Sequence, residues 1–166
     1  MEETRETLLT GRIKDNFKDA VLSTAVFRGE VTHLIEKGAL LAILNFLKTD
    51  PELKFNFLVD VLGADYPEDA LRFEVVYHLY SIPRKHRLRI KVRLSDAESL
   101  PSVSRVWTTA DWHEREVFDM FGISFDGHPD LKRIYLPDDW DGFPLRKDYP
   151  LRGFKDRYNP FGVEKK

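Results

Sequence analysis

The sequence predicts an α+β fold: a mixed or mostly antiparallel sheet with helices packed on one face, followed by an irregular, extended C-terminal arm. Three observations lead to this prediction. Apolar residues recur at helical spacing in three segments, and they alternate with polar residues in several segments between them. After Gly122 no period survives, and turn residues, aromatics and charges follow one another instead. The chain has 166 residues, which fits one domain with an appendage. We place the domain in residues 1–130 and the C-terminal arm in residues 131–166.

The first part of the chain predicts a helix, a hairpin and a second helix. Residues 4–18 have apolar side chains at helical spacing. Residues 21–27 are rich in β-branched side chains, and residues 31–35 alternate, so we expect two strands joined by a tight turn at residues 28–30. Residues 38–48 again have helical spacing, and a proline follows shortly after, as it often does beyond a helix end.

The middle of the chain predicts three more strands and then a helix. Residues 55–62 are dense in aromatic and aliphatic side chains, whereas residues 72–80 and 88–94 alternate. The helix would begin after Thr108 or Thr109 as N-cap and end at Gly122. One face of this helix would be formed by Ala110, His113, Val117, Met120 and Phe121.

Composition excludes several classes of function. The chain has no cysteine, which rules out disulfides, cysteine catalysis and iron–sulfur clusters held by its own thiolates. Its 26 basic and 28 acidic residues give a formal net charge of −2, so we expect no nucleic-acid partner. The N-terminus lacks the apolar core of a signal peptide. The longest apolar run, residues 39–44, is far shorter than the ~20 residues that span a bilayer, so we expect membrane contact only through a partner.

A catalytic or metal site finds little support in the sequence. His113 and Glu116 have the helical spacing of paired metal ligands, but they supply only two ligands where a closed site needs about four. A free-standing metal hydrolase using these two residues is therefore a remote alternative. The segment from Gly122 to Gly127 lacks the lysine and the following helix of a phosphate-binding loop. We expect no catalytic, cofactor-binding or metal-binding residue.

The charge cluster Glu114-Arg115-Glu116 has two interpretations. It could be a solvated helix face, because runs of charge usually sit in water. Alternatively, it could form a buried or interfacial network with Arg133, Arg146 or Lys147, where carboxylates and guanidinium groups make directional pairs.

The C-terminal arm is the strongest physical clue to a partner. It is rich in aromatic residues, yet it has no periodic face on which to fold. Exposed groups of this kind often mark an interface, where tyrosine, tryptophan and arginine are favoured anchors. The alternative is an arm that packs back on its own domain. The aromatics are Tyr135, Trp140, Phe143, Tyr149, Phe154, Tyr158 and Phe161.

A long ordered series of residues between Trp107 and Pro150 resembles the thirty-kilodalton subunit (the C subunit) of respiratory complex I, an NADH–quinone oxidoreductase. Further matching residues lie upstream, in 59–60, 65–67 and 72–79, and the resemblance covers roughly residues 10–155. The residues of this signature, for which we expect structural or interface roles, are Glu114, Arg115, Glu116, Asp119, Gly122, His128, Pro129, Arg133, Pro137, Trp140, Pro144, Arg146, Lys147, Asp148, Tyr149 and Pro150.

The resemblance implies a domain of the thirty-kilodalton type and a non-catalytic structural role in a proton-translocating enzyme. The chain would pack against the forty-nine-kilodalton partner (the D subunit) and other subunits of the peripheral arm of the complex, near the quinone-reducing module. FMN and iron–sulfur clusters would belong to the partner subunits, and the complex would lie on the cytoplasmic side of the inner membrane. The equivalent subunit of a related membrane-bound hydrogenase, or of another quinone-reducing dehydrogenase, is the alternative.

Overall fold

A computed structural model describes residues 2–164, with side chains described from residue 8 onward. Residues 2–164 form three α-helices and seven β-strands. In order these are α1 (Glu2–Phe17), β1 (Val21–Phe27), β2 (Glu30–Ile35), α2 (Leu40–Thr49), β3 (Phe57–Asp65), β4 (Phe73–Ser81), β5 (His86–Leu94), β6 (Leu100–Pro101), α3 (Ala110–Phe121) and β7 (Phe125–Asp126).

The main sheet has five strands in the order β1-β2-β5-β4-β3. Within this sheet β1 pairs antiparallel with β2, β3 with β4, and β4 with β5, whereas β2 pairs parallel to β5. This one parallel pair requires a long crossover, and α2, β3 and β4 lie within it. The sheet is therefore mixed, as the sequence predicts.

The core lies on one face of the sheet because the pairing aligns the apolar residues of neighbouring strands. Val75 of β4 pairs with Val92 of β5, and Val92 pairs with Ile35 of β2. Buried residues of all three helices join the same cluster, among them Ile13 of α1, Leu44 of α2 and Val117 of α3. The prediction that the helices pack on one face of the sheet is confirmed.

The structure departs most from the predicted elements at the end of β3 and at the short strands β6 and β7. Strand β3 continues to Asp65, three residues beyond the predicted end, because residues 63–65 pair with Phe73–Val75 at the start of β4. The short parallel pair of β6 with β7 is not predicted, since two-residue strands have no detectable period. This pair links the segment before α3 to the segment after it.

No helix within residues 2–164 combines the length and the apolarity needed to cross a bilayer. The extreme ends of the predicted domain and arm, residue 1 and residues 165–166, lie outside the described residues.

Candidate functional site

Helix α3 carries three buried charged side chains: Glu114, Arg115 and Asp119. Thr109 occupies the N-cap position, although its side chain makes no capping hydrogen bond. Gly122 ends the helix in the left-handed region with φ +76°, as the sequence predicts, and its N–H donates to the carbonyl of Phe118. Glu114 contacts the segment before the helix, whereas Arg115 and Asp119 both contact the beginning of the C-terminal arm.

The side chain of Asp119 binds backbone groups at the beginning of the C-terminal arm. Its Oδ2 accepts hydrogen bonds from the backbone N–H groups of residues 134, 135 and 136 at 3.0, 2.8 and 3.1 Å. Its Oδ1 accepts one from Nη1 of Arg133 at 2.9 Å. Burial opposes ionisation of this carboxyl, but these donors outweigh burial and hold the pKa of Asp119 below its usual range.

Arg133 joins the two sides of the turn that Asp119 organises. Its Nη2 donates to the carbonyls of Trp140 and Gly142 at 3.2 and 3.1 Å, while its Nη1 donates to Oδ1 of Asp119. The planar guanidinium can reach all three acceptors because its donors point in fixed directions. Asp119 and Arg133 thus fold residues 133–142 without any regular secondary structure.

Glu114 is enclosed on the other side of α3, facing the segment that precedes the helix. Its Oε1 accepts from the backbone N–H of Val103 at 2.7 Å, and its Oε2 accepts from Oγ of Ser102 at 2.6 Å. Burial raises the pKa of Glu114, and the two hydrogen bonds and the nearby His128 offset this only in part. Asp119 and Glu114 are both fully buried, yet their pKa values shift in opposite directions.

His128 closes the same region from the loop after β7. Its side chain is fully enclosed, and Nδ1 accepts a hydrogen bond from the N–H of Asp130 at 3.1 Å. Nε2 therefore carries the proton and donates to the carbonyl of Asp111 at 3.0 Å. Nε2 also lies 3.9 Å from Oε2 of Glu114.

Arg115 reaches the first residues of the C-terminal arm. It donates to the carbonyls of Lys132 at 3.1 Å and Arg133 at 3.4 Å, and its guanidinium stacks 4.7 Å from the ring centre of Trp112. Glu116 is only half-buried, and its contact with the hydroxyl of Tyr135 is long, at 3.3 Å.

The cluster at residues 114–116 is thus neither of the two simple alternatives. Glu114 and Arg115 are buried, as the network interpretation requires. Their hydrogen bonds, however, are made with Ser102 and backbone groups, and the nearby side chain of Glu114 is His128. The carboxylate that pairs with Arg133 belongs to Asp119.

A second anchor lies at the end of β3. Asp65 accepts two hydrogen bonds from Arg72, at 2.7 and 2.9 Å, and a third from the backbone N–H of Lys147 at 2.7 Å. The bond from Arg72 contributes most to holding the pKa of Asp65 below its usual range, against the effect of burial. Arg72 also pairs with Asp148 at 2.9 Å. The arm is therefore fixed to the sheet at residues 147–148.

Arg146 lies between two aromatic rings and links both anchors. Its guanidinium is 4.9 Å from the ring centre of Phe73 and 4.9 Å from that of Phe143. Its Nε donates to the carbonyl of Phe121 at 2.6 Å, and its Nη2 pairs with Asp96 at 2.9 Å. Arg72 lies 5.1 Å from the ring centre of Phe73 and Arg133 lies 5.1 Å from that of Phe143, so arginines and phenylalanines alternate in space.

We call the two anchors and the residues that link them the clasp. Its members are Asp65, Arg72, Phe73, Asp96, Asp119, Arg133, Phe143 and Arg146.

The remaining signature residues shape the chain around the clasp. A Cβ at Gly122 would meet the ring of Phe143 at 2.5 Å, so glycine allows this ring to pack against the end of α3. The carbonyls of Pro137 and Pro150 accept turn hydrogen bonds from Trp140 and Gly153. Pro129 lines a concavity beside α3, while Pro144 and Tyr149 line another concavity in the arm.

The last part of the arm makes its own local structure. Phe154 and Val163 form a β-bridge, and Asp156 accepts from the N–H groups of Tyr158 and Asn159. Aromatic contacts connect this loop to the earlier part of the arm, with Tyr149 and Phe154 at 5.2 Å and Trp140 and Tyr158 at 6.1 Å.

Large apolar side chains remain exposed along the arm. Leu151 is fully exposed, Phe161 is 88% exposed, and Leu145 is half exposed between two concavities with volumes of about 380 and 470 Å³. An arm that is fixed by its backbone and exposes apolar side chains has the arrangement expected of a protein interface.

His113 does not belong to a metal-binding group of described residues. Its Nδ1 lies 3.0 Å from Oδ1 of Asp60 on β3. Among the side chains from residue 8 to residue 164, no three histidine, cysteine, aspartate or glutamate residues are placed to hold a metal ion.

Half of the clasp lies outside α3 and the arm, and the sequence did not predict it. Asp65, Arg72 and Phe73 belong to the upstream stretches that resemble the family, and this resemblance is the only sign of their importance in the sequence. No spacing rule connects these three residues to residues 146–148. Asp96 lies in an unpatterned turn and left no such signal.

Comparison with protein families gives a match over most of the chain. The family model described as "Respiratory-chain NADH dehydrogenase, 30 Kd subunit" matches residues 33–155. The chain is 49% identical over 152 residues to the second C subunit of NADH-quinone oxidoreductase of Rhizobium etli, a match covering 92% of this chain and 81% of that one. It is 50% identical over 143 residues to the C subunit of NADH-quinone oxidoreductase of Citrifermentans bemidjiense, covering 86% and 88%.

Among solved structures, the fold is similar to a chain of the membrane-bound sulfane sulfur reductase, described as an archaeal respiratory membrane complex. The TM-score is 0.75 with 22% sequence identity, and the match covers 89% of this chain and 86% of that chain. At this identity the similarity shows a shared fold.

Proposed function

Because the chain belongs to the family of 30 kDa subunits of respiratory-chain NADH dehydrogenase, we propose that it is a structural subunit of a proton-translocating NADH–quinone oxidoreductase. In this proposal the chain supplies shape and contacts, and the chemistry takes place in its partners. FMN and the iron–sulfur clusters are held by those partners, since this chain has no cysteine to ligate a cluster. The complex holds the chain on the cytoplasmic side of the inner membrane.

The clasp is the observation that carries this proposal. Its buried carboxylates accept hydrogen bonds from backbone N–H groups and from arginines of the same chain. Groups satisfied in this way fix the position of a segment, whereas a catalytic acid or base needs access to a substrate. The clasp thereby presents the exposed side chains of Leu145 and Leu151 to a partner.

We propose that this partner is the forty-nine-kilodalton subunit, which binds along the C-terminal arm. The exposed apolar side chains lose contact with water in that interface, and each large one contributes roughly 1.5–3 kcal/mol when fully buried. Part of this gain is offset by the entropy lost on ordering the side chains.

Co-purification from a host that lacks its own copy of this subunit tests the proposal. The double variant Leu151→Asp and Phe161→Asp changes two exposed residues, so the domain should fold normally but bring down less of the forty-nine-kilodalton subunit than the unchanged chain. Leu62→Asp is the matched control, because Leu62 is exposed on β3 away from the arm, and it should leave recovery unchanged.

The rate of NADH oxidation by quinone, measured per assembled complex, distinguishes a structural role of this chain from a catalytic one. We expect fewer complexes with nearly normal turnover in the double variant. Normal recovery of the forty-nine-kilodalton subunit together with abolished turnover would contradict the structural role and indicate that the chain takes part in the reaction.

A further inference from the structure

Three connections of the chain lie side by side at one end of the five-stranded sheet, where β2 and β5 begin. Because β2 and β5 pair in parallel, the β1–β2 turn lies next to the β4–β5 turn. The loop between α2 and β3 contacts the β4–β5 turn directly. In these contacts the carbonyl of Pro51 accepts a hydrogen bond from Nη2 of Arg84 at 3.0 Å, and Oδ1 of Asn56 accepts one from the N–H of Ile82 at 3.1 Å.

This end of the sheet, which we call the basic pole, exposes five cationic side chains. Within residues 8–164, none of the five forms an ion pair with a carboxylate. The carboxylates of these connections are already paired with other arginines, Glu30 with Arg89 at 2.8 Å and Glu52 with Arg12 at 3.4 Å. The pole is therefore positive in a chain whose net charge is −2. Its five cations are Arg28, Lys54, Arg84, Lys85 and Arg87.

Three of these cations occupy backbone positions that suit glycine. The angle φ is 52° at Arg28, 48° at Lys54 and 55° at Lys85, and within residues 2–164 no other residue except glycine has a positive φ. In this left-handed region a side chain crowds the backbone, so glycine is favoured. Repulsion between like charges adds to the cost of this arrangement. The cations thus stand where the fold alone would favour an uncharged residue without a side chain.

Aromatic rings hold two of the arginines in place. The guanidinium of Arg28 lies 5.2 Å from the ring centre of Phe27, and that of Arg87 lies 5.1 Å from the ring centre of Tyr80. A guanidinium that stacks by its face keeps its N–H donors free at the edge. Phe27 is itself 71% exposed, and Ile82 in the neighbouring turn is 56% exposed. The pole therefore combines fixed donors with apolar contact area.

We propose that the basic pole binds an acidic segment of another protein, in which aspartate or glutamate residues lie close together. Its carboxylates accept paired hydrogen bonds from Arg28 and Arg87, because the two N–H groups of a guanidinium fork match the two oxygens of a carboxylate. Lys54 and Lys85 neutralise the neighbouring acidic residues. A short segment contacts the pole alone, whereas a membrane or a nucleic acid would also face the acidic remainder of the chain.

The basic pole and the clasp lie at opposite ends of the sheet. Strand β3 runs from Phe57 beside the pole to Asp65 in the clasp, and β4 runs from Phe73 in the clasp to Ser81 beside the pole. The inference therefore does not rest on the proposed role of the arm. Loss of binding at the pole would leave recovery of the forty-nine-kilodalton subunit through the arm unchanged, and the reverse also holds.

Binding of fluorescently labelled octaglutamate to the purified full-length chain is the first measurement. We expect binding, followed by fluorescence anisotropy, that weakens as the salt concentration rises. The triple variant Arg28→Gln, Lys54→Gln, Lys85→Gln should bind about tenfold more weakly, as expected when three exposed charge pairs are lost. Absence of binding by the unchanged chain would overturn the proposal.

A matched control removes the same total charge outside the pole. The triple variant Lys18→Gln, Arg105→Gln, Arg152→Gln changes three other exposed cations, and it should bind octaglutamate nearly as well as the unchanged chain. An equal loss of affinity in the two triple variants would mean that the overall charge of the chain attracts the peptide, and this result would overturn a site at the pole.

Glycine at the three left-handed positions separates binding from folding. The variant Arg28→Gly, Lys54→Gly, Lys85→Gly relieves the crowded backbone and removes the charges. It should unfold at the same temperature as the unchanged chain or a higher one, yet bind octaglutamate as weakly as the glutamine variant at the same positions. A clearly lower unfolding temperature would show that these cations stabilise the chain itself, and it would overturn their assignment to a partner.

Vesicles of equal parts phosphatidylserine and phosphatidylcholine test a membrane as the occupant. We expect the full-length chain not to sediment with these vesicles at a salt concentration at which it binds octaglutamate. Sedimentation with the vesicles that is lost in the glutamine variant of the pole would assign this surface to anionic lipid, and it would overturn an acidic protein segment as its partner.

Discussion

The two halves of the C-terminal arm are both irregular, but they are held in different ways. Residues 131–150, the proximal arm, are fixed to α3 and β3 by the buried carboxylates of Asp119 and Asp65. Residues 151–164, the distal arm, form a loop of their own and contact the proximal arm through aromatic rings. The difference shows that a segment without secondary structure becomes part of a domain when buried side chains satisfy its backbone groups.

This distinction bears differently on the two alternatives that the sequence leaves open for the arm, and the interface stays a prediction. The proximal arm packs back on its own domain through the clasp. The distal arm keeps the exposed apolar side chains that favour an interface. The division of the chain at residue 130 stays a prediction.

Replacing Asp119 should have the largest effect on the proximal arm. Asp119→Ala leaves Arg133 and the N–H groups of residues 134–136 without their acceptor, so we expect unfolding to become easier by about 3–5 kcal/mol. Chemical denaturation measures the loss, and hydrogen exchange should show faster exchange at residues 134–136. Glu116→Ala is the control and should cost little, because Glu116 is only half-buried. Equal losses in the two variants would mean that Asp119 does not anchor the arm.

Arg146 tests the connection between the proximal arm and the sheet. Arg146→Ala removes the hydrogen bond to the carbonyl of Phe121 and the contacts with Phe73 and Phe143. We expect a loss of about 2 kcal/mol, the range for a hydrogen bond from a charged group. Arg105→Ala, at an exposed position, should be nearly neutral. If Arg146→Lys restored full stability, charge alone would suffice and the stacking between rings would be unimportant.

The opposite pKa shifts of Glu114 and Asp119 predict opposite responses to pH. The pKa of Asp119 is lowered by folding, so its contribution to stability is present above the ordinary aspartate pKa near 3.8 and is lost as pH falls through the folded value. The pKa of Glu114 is raised, so its contribution is complete below the ordinary value near 4.5 and is lost as pH rises through the folded value.

Glu114→Gln should therefore gain stability relative to the unchanged chain as pH rises from about 4 toward 7, by about 1.4 kcal/mol for each unit of pKa shift. Thermal unfolding across this pH range measures the difference. Asp119→Asn is the matched comparison: its stability relative to the unchanged chain should stay constant from about pH 5 to 7 and should change only at lower pH, below the ordinary aspartate pKa near 3.8. Parallel curves for the two variants would show that burial affects both carboxyls alike.

Removal of the distal arm should have the smallest effect on stability. A chain that ends at Pro150 keeps the clasp, so its thermal transition should match that of the full chain, while its binding to the forty-nine-kilodalton subunit should weaken. Calorimetry and co-purification measure the two quantities. A clear fall in the transition temperature would show that the distal arm belongs to the core fold after all.

Periodicity in the sequence was sufficient to predict the helices and most strands, because the buried residues of these elements alternate or recur regularly. It could not predict that Glu114 and Asp119 are fully buried, since hydropathy assigns carboxylates to solvent. Their burial depends on donors from residues 102–103 and 133–136, which only the folded chain brings near. The end of β3 was missed for a similar reason: residues 63–65 lie beyond the predicted strand and join it by pairing with β4.

The way in which Asp119 and Asp65 hold the arm has a consequence for how this surface can evolve. Both carboxylates bind main-chain N–H groups of residues 134–136 and 147, which every amino acid except proline possesses. These hydrogen bonds place no requirement on the side chains at these positions, so the arm can change its surface while its path stays constant. The surface of the arm can therefore change by single substitutions as a contacting protein changes. The backbone hydrogen bonds to Asp119 and Asp65 that hold the arm need not change with it.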